Sequence, residues 1–176
     1  MKVLETERLT LRRLSIDDAE FILQLLTDPA FFKYVGDKGV RTVPDARDYI
    51  LSGPVASYEQ FGFGLYAVEL KPDGDPIGMC GLLKRESLPD VDIGFALLPR
   101  YRSQGYAYEA TAAVLAYARE QLGLGRIVAI TVPHNAGSIR ILEKIGLRFE
   151  RMVRLSEDAE ELQLFASGGT GPRKSA

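Results

Sequence analysis

The chain has 176 residues, 46% of them hydrophobic, with 22 basic and 24 acidic side chains and a formal net charge of -2. That length suits one domain around one core, and the near-balanced charge gives no broad basic field, so direct nucleic-acid binding is not expected and any phosphate contact has to be local. One cysteine excludes an intrachain disulfide, one histidine offers no zinc-ligand spacing, and no run reaches the roughly 18 apolar residues of a membrane helix, so neither a metal nor a membrane partner is expected. The opening MKVLETERLTL lacks an apolar signal core, and a cytoplasmic setting is the expectation.

In chain order, Val3 to Leu14 alternates as a first strand, and Ser15 with Asp18 three residues on predicts a capping box opening a helix to about Thr27. Asp28-Pro29 breaks that helix; Ala30 to Val35 predicts one or two further turns, Gly36 to Thr42 a loop, and Pro44 the entry to another helix. Strands are predicted at Phe61 to Leu70 and Ile77 to Lys84 around a turn at Lys71 to Pro76, and again at Asp92 to Leu98, where Pro99 stops the sheet. A helix follows from Arg102 to Leu122, with Ala107, Thr111, Val114 and Ala118 on one narrow face. The apolar run Ile127 to Val132 reads as a strand, Asn135 as the N-cap of a helix closed by Gly146, and Phe149 to Leu155 and Leu162 to Ala166 as two last strands. Residues 1–166 therefore form one domain. Residues 167–176, SGGTGPRKSA, read as a flexible tail whose glycines lack the helix and lysine of a phosphate loop.

Two segments carry chemistry. In Arg102-Ser103-Gln104-Gly105-Tyr106-Ala107 a glycine lets backbone approach a ligand, and the first N–H groups of the helix have no partners within it. With the positive end of the helix dipole and the Arg102 charge, they suit a phosphate ester. Downstream, Asn135 to Leu147 holds the string N-x-x-S-x-x-x-L-E-K-x-G. The R-x-x-G-x-A turn after an I-G-F-x-L-x-P strand resembles the acyl-CoA motif of the GNAT superfamily of N-acetyltransferases, and the second string resembles its ribosomal-protein N-acetyltransferase (RimJ/RimL-like) branch. The resemblance covers about Val3 to Ala166.

The resemblance implies an α/β (α+β) fold: a single GNAT-like domain with a mixed, mostly antiparallel central sheet, flanked by helices and splayed between two parallel central strands, here Asp92 to Leu98 and Arg126 to Val132. It implies acetyl-CoA as co-substrate. Pantetheine would pair with backbone at Leu97 and Leu98, the N–H groups of Arg102, Ser103, Gln104, Gly105, Tyr106 and Ala107 would cradle the pyrophosphate, and Asn135 and Ser138 would face the thioester. The reaction implied is direct attack of a neutral amine. An α-amine of pKa about 7.7 to 8.0 loses its proton at pH 7 for roughly 1 to 1.4 kcal/mol, against roughly 4.6 for a lysine at about 10.4, so one carboxylate acting through water is enough for an α-amine.

Asp92, at the head of the splayed strand with Gly94 clearing space beside it, is the first candidate base, competing with a plain ion-pairing role; Glu86 is the second. Ser138 is the candidate for stabilising the leaving thiolate, since Leu142 stands where many superfamily members have a tyrosine. Tyr106 and Tyr108 read as packing residues in their rings, Cys80 as a buried free thiol rather than a nucleophile, and His134 as unpartnered. The acceptor, a protein N-terminus or a small amine, is expected near Asp28 to Val35, the loops after Asp48 to Tyr58, and the final hairpin, whose acids Glu157 and Asp158 would favour a cation. A monomer or homodimer is expected. The competing reading is a non-catalytic acyl-CoA sensor or interaction module; a doubly wound nucleotide-binding fold lacks its G-x-G-x-x-G after the first strand.

Overall fold

Residues 1–167 are described by a computed structural model of the chain. One sheet holds eight strands: β1 (Lys2–Glu5), β2 (Leu9–Arg13), β3 (Leu65–Leu70), β4 (Asp75–Leu83), β5 (Val91–Leu97), β6 (Ile127–Thr131), β7 (Leu147–Val153) and β8 (Leu162–Ser167), in the spatial order β1-β2-β3-β4-β5-β6-β8-β7. Every neighbouring pair is antiparallel except β5 with β6. Among the described residues six α-helices flank it: α1 (Ala19–Leu26), α2 (Pro29–Tyr34), α3 (Val43–Ile50), α4 (Ala56–Phe61), α5 (Tyr106–Glu120) and α6 (Ala136–Lys144). The single α/β domain and the mostly antiparallel sheet expected from the sequence are present.

Strand alternation builds a core on each face of β3, and a third, smaller cluster of Leu88, Val128, Val153, Leu164 and Ala166 lies among β6, β7 and β8. Tyr66 and Val68 of β3 turn to the face that Val114, Leu115 and Ala118 of α5 cover, while Ala67 between them turns to Ile22, Leu25 and Leu26 of α1 and Ala46 and Ile50 of α3. The predicted small face of α5 is what permits that close seating, with Thr111, Val114 and Ala118 buried. The predicted capping box exists: Ser15 and Asp18 cap each other across a short 3-10 turn, Ile16–Asp18, that runs into α1.

Four expectations change. The first strand is two strands, because Thr6 N–H donates to Leu9 O at 2.9 Å and its hydroxyl oxygen accepts from Leu9 N at 3.0 Å, closing a turn inside a run that still alternates. Residues 43–61 are helical throughout, with a π-helical stretch at Leu51–Val55 that accommodates Pro54, so the loop after Asp48 to Tyr58 is only the short one at 62–64, which borders neither cavity. Phe61 ends α4, Gly62 takes the left-handed cap, and β3 starts only at Leu65. Ser167 belongs to β8, where its buried hydroxyl accepts from Ile127 N at 3.0 Å; the rest of the expected tail lies outside the described residues.

Candidate active site

The site begins where the two parallel strands part. Only Val91↔Ile127 and Asp92↔Val128 are paired between β5 and β6, and beyond them the strands diverge. Antiparallel bonding to β4 alternates along β5, and Leu98 N–H donates to Ile77 O at 2.8 Å. Backbone groups of Phe95 and Leu97 therefore face the gap and those of Leu98 do not; Leu98 O accepts from Tyr101 N, and its side chain is buried in the α1–α3 core. The expectation of pairing at Leu98 is corrected. Phe95 stands with Leu97 as a residue whose backbone faces the gap.

Past β5, a 3-10 turn at Pro99–Tyr101 leads to α5, which starts at Tyr106 and not at Arg102. Ser103 (φ 62°) and Gly105 (φ 87°) both lie in the left-handed region, which turns the intervening amides toward one side ahead of the helix. Gly105 caps the helix with no side chain, and its carbonyl accepts from Glu109 N. Among the described residues, the N–H groups of Ser103, Gln104, Gly105, Tyr106, Ala107 and Tyr108 are left without an acceptor. Arg102 departs from expectation: its own N–H donates to Pro99 O, and its guanidinium is turned inward, to Leu97 O at 2.8 and 3.1 Å and to the Asp28 carboxylate at 2.8 Å. Tyr108 N–H is a donor that the motif alone did not single out. The Tyr106 ring lies under Arg8 and the Tyr108 ring under Lys144, each at 4.4 Å, as packing residues.

Across the gap, Asn135 caps α6. Its side-chain oxygen accepts from Ser138 N at 3.3 Å, and its amide nitrogen donates to Ser138 Oγ at 3.0 Å. A hydroxyl that already accepts one bond keeps its own proton for a further partner. Two cavities meet here. One of about 450 Å³ is bordered by Leu97, Arg102, Ser103, Gly105, Ala107 and Lys144; the other, of about 420 Å³, by Asp92, Gly94, Arg85, Tyr49, Lys38 and Glu160. Phe31, Phe95, Ala96, Asn135 and Ser138 border both, so they are the two mouths of one cleft through the sheet.

Asp92 is 1% exposed and forms an ion pair with Arg85, Nε to Oδ1 at 3.0 Å and Nη2 to Oδ2 at 3.4 Å. Burial raises its pKa and Arg85 opposes the shift without cancelling it. Glu86 is exposed and borders neither cavity; the hairpin between β4 and β5 sends Arg85 inward and leaves its neighbour outside, so the second candidate base is set aside. Cys80 is fully buried in β4 on the α5 face, with its thiol pKa pushed up by burial, and it too borders neither cavity. His134 lies against Tyr34, ring centroids 5.6 Å apart. Phe31, Tyr34 and Val35 of the irregular segment do border the acceptor side, as expected, joined by Tyr49 of α3 and by Leu155, Ala159, Glu160 and Leu162 of the final hairpin. Glu157 and Asp158 do not. Arg85, Lys38 and Tyr49 were missed by sequence reasoning; the β4–β5 register, Leu83↔Asp92, is the signal that could have found Arg85. Among the described residues no cluster of three or more His, Cys, Asp or Glu could hold a metal ion, and no helix is long and apolar enough to cross a membrane.

The acetyltransferase (GNAT) domain model matches residues 8–148. The chain belongs to the GNAT acetyltransferase family. It is 32% identical over 162 residues to the uncharacterized N-acetyltransferase p20 of Bacillus licheniformis, covering 91% of this chain and 90% of that protein. Among solved structures, an acetyltransferase from Agrobacterium tumefaciens str. C58 superposes with a TM-score of 0.81 at 28% identity, over 96% of this chain and 94% of that one. RimL, a ribosomal L7/L12 α-N-protein acetyltransferase solved in complex with coenzyme A, shares the fold at a TM-score of 0.69 and 14% identity, over 94% and 97% of the two chains. As a GNAT acetyltransferase the protein uses acetyl-CoA as its co-substrate. The open amides at 103–108 and the unpaired edges of β5 and β6 fit that group, since both present donors where a diphosphate and an amide-bearing arm need them.

Proposed function

We propose that the chain transfers the acetyl group of acetyl-CoA to a primary amine, the amine attacking directly while both substrates are bound. The observation that carries this reading is the border shared by the two cavities: Asn135 and Ser138 belong to both, so an acyl group entering past α5 and an amine entering past Arg85 arrive at one point. RimL, which shares the fold, was solved with coenzyme A, and this supports seating the coenzyme in the gap.

Acetyl-CoA supplies the activated acyl group. The backbone of Phe95 and Leu97 lines the gap that receives the pantetheine arm, and the amides of residues 103–108 hold the diphosphate at the positive end of α5. Ser138, its oxygen already accepting from Asn135, donates its proton toward the departing sulfur. Asp92 accepts the amine proton through water; Arg85 favours its ionised form, opposing the burial that raises its pKa. Both a small amine and a protein N-terminus satisfy this chemistry. The test is release of coenzyme A thiol on mixing the protein with acetyl-CoA and a panel of primary amines. Ser138→Ala should lower kcat about tenfold or more with a smaller change in KM. Tight acetyl-CoA binding with no thiol release from any amine would replace this reading with that of a non-catalytic acyl-CoA sensor.

A further inference from the structure

Two cations border the acceptor cavity with donors left over. Arg85 uses one edge of its guanidinium, Nε and Nη2, on the buried Asp92. Its Nη1 has no hydrogen-bond partner among the described residues, and the ion pair with a carboxylate that cannot move fixes where that second edge points. Lys38, in the loop between α2 and α3, borders the same cavity, and its ammonium has no ion-pair or hydrogen-bond partner among the described residues. Although the residue is exposed at the cavity mouth, partial burial of its ammonium first, and then the charge of Arg85, lower its pKa, and both cations border the same cavity. An anion between them satisfies both. Of the acids that border the cavity, Asp92 is already committed to Arg85 and Glu160 lies exposed at the rim. The remaining wall is apolar and aromatic, with Phe31, Tyr34, Leu83 and Leu155, and Tyr49 contributes a phenol that burial holds protonated, its pKa raised to about 12.

We propose that the acceptor is a small amine carrying a carboxylate on an apolar body, the carboxylate held between Arg85 and Lys38 and the amine directed to the Asn135–Ser138 side. This rests on the acetyl-transfer reading above and names its acceptor class: a free apolar α-amino acid or a close relative, in which one short molecule spans from the cations to the thioester. A protein N-terminus has a peptide bond where the free amino acid has its α-carboxylate. The reaction is balanced: the amine nitrogen forms the new bond to the acetyl carbon, the carbon–sulfur bond breaks, and the amine proton leaves as the thiolate gains one.

The experiment compares L-phenylalanine, L-leucine and L-methionine with their own amides, which keep the amine and lose the carboxylate charge. The acids should exceed the amides at least tenfold in kcat/KM, about 1.4 kcal/mol, and Lys38→Gln, at an exposed loop position, should shrink that ratio several-fold. Binding gives a second readout that needs no turnover: in the presence of coenzyme A, N-acetyl-L-phenylalanine should bind at least several-fold more tightly by calorimetry than N-acetyl-L-phenylalaninamide, and lose that margin in Lys38→Gln. Amides acetylated as well as the acids would overturn the anion subsite while leaving the acetyltransferase reading intact. If no amine releases thiol, equal calorimetric affinity of the two N-acetyl compounds would overturn it as well.

Discussion

Arg102 donates from Nη2 to the Asp28 carboxylate at 2.8 Å, which ties the loop ahead of α5 to the residue that caps α2. The same guanidinium holds Leu97 O on the lip of the gap. An arginine that the motif assigns to phosphate is therefore also a strut for the segment that roofs the cleft.

Arg102→Ala should destabilise the protein even without a ligand. The side chain of Arg102 is 39% exposed and that of Asp28 11%, so solvent screens part of the pair, and a loss of about 1 kcal/mol is expected once the orphaned Leu97 carbonyl is included. Urea denaturation of the ligand-free protein measures it. An unchanged midpoint would mean that the strut contributes nothing.

Asp92→Asn tests the base. The raised pKa of Asp92 means that its ionised form, the one able to accept a proton, grows in as pH rises through a value above the ordinary 3.8. General base help is worth about 10²-fold or more when the amine must be deprotonated, so the defect should be largest above that value and below the pKa of the amine, shrinking at lower pH, where Asp92 is itself protonated, and at higher pH, where the amine is already neutral. A defect of equal size at every pH would remove Asp92 as the base and leave it as the holder of Arg85.

Cys80→Ala should leave the kinetic pattern unchanged, since the thiol is buried in β4 and reaches neither cavity. Initial rates with both substrates varied should give intersecting lines. Parallel lines, or loss of activity in a folded Cys80→Ala, would require an acyl-enzyme and overturn direct transfer.

Asp18 gives a stability prediction with a sign. Burial pushes its pKa up, but two Arg12 hydrogen bonds at 2.9 Å and the Ser15 amide outweigh that and hold it below its ordinary value. A depressed carboxylate contributes stability that is present above its unfolded pKa and disappears as pH falls through the folded one. Asp18→Asn should therefore lower the melting temperature clearly at pH 7, by an amount that shrinks progressively as pH falls below 3.8. An equal shift at every pH would attribute the effect to packing.

Much of the fold was legible because local chemistry and tertiary structure agree: the Ser15–Asp18 capping box, the Asn135 cap, the narrow face of α5 and the two parallel strands all fall where the sequence puts them. The readings that failed did so where apolar alternation runs on through a change of structure, as at Thr6 to Arg8, or where a proline is absorbed into a helix, as at Pro54. In the site, backbone donors at 103–107 were visible from the turn chemistry. Arg85, Lys38 and Tyr49 were not, because three separate elements bring them together and no spacing along the chain records it. The inward turn of Arg102 depends on Asp28, 74 residues away.

The central claim, that coenzyme A lies in the β5–β6 gap with its diphosphate on the amides ahead of α5, is tested most directly by titrating ¹⁵N-labelled protein with coenzyme A and following amide shifts. The account predicts the largest shifts at Ser103 through Tyr108, with Phe95, Leu97 and Ser138 next. It also predicts their loss in Gly105→Val, where a β-branched residue would be forced to φ 87° with its Cβ at 3.1 Å from Arg8 Nη2. Shifts confined to another face, or a folded Gly105→Val that binds coenzyme A as tightly as the natural chain, would contradict it.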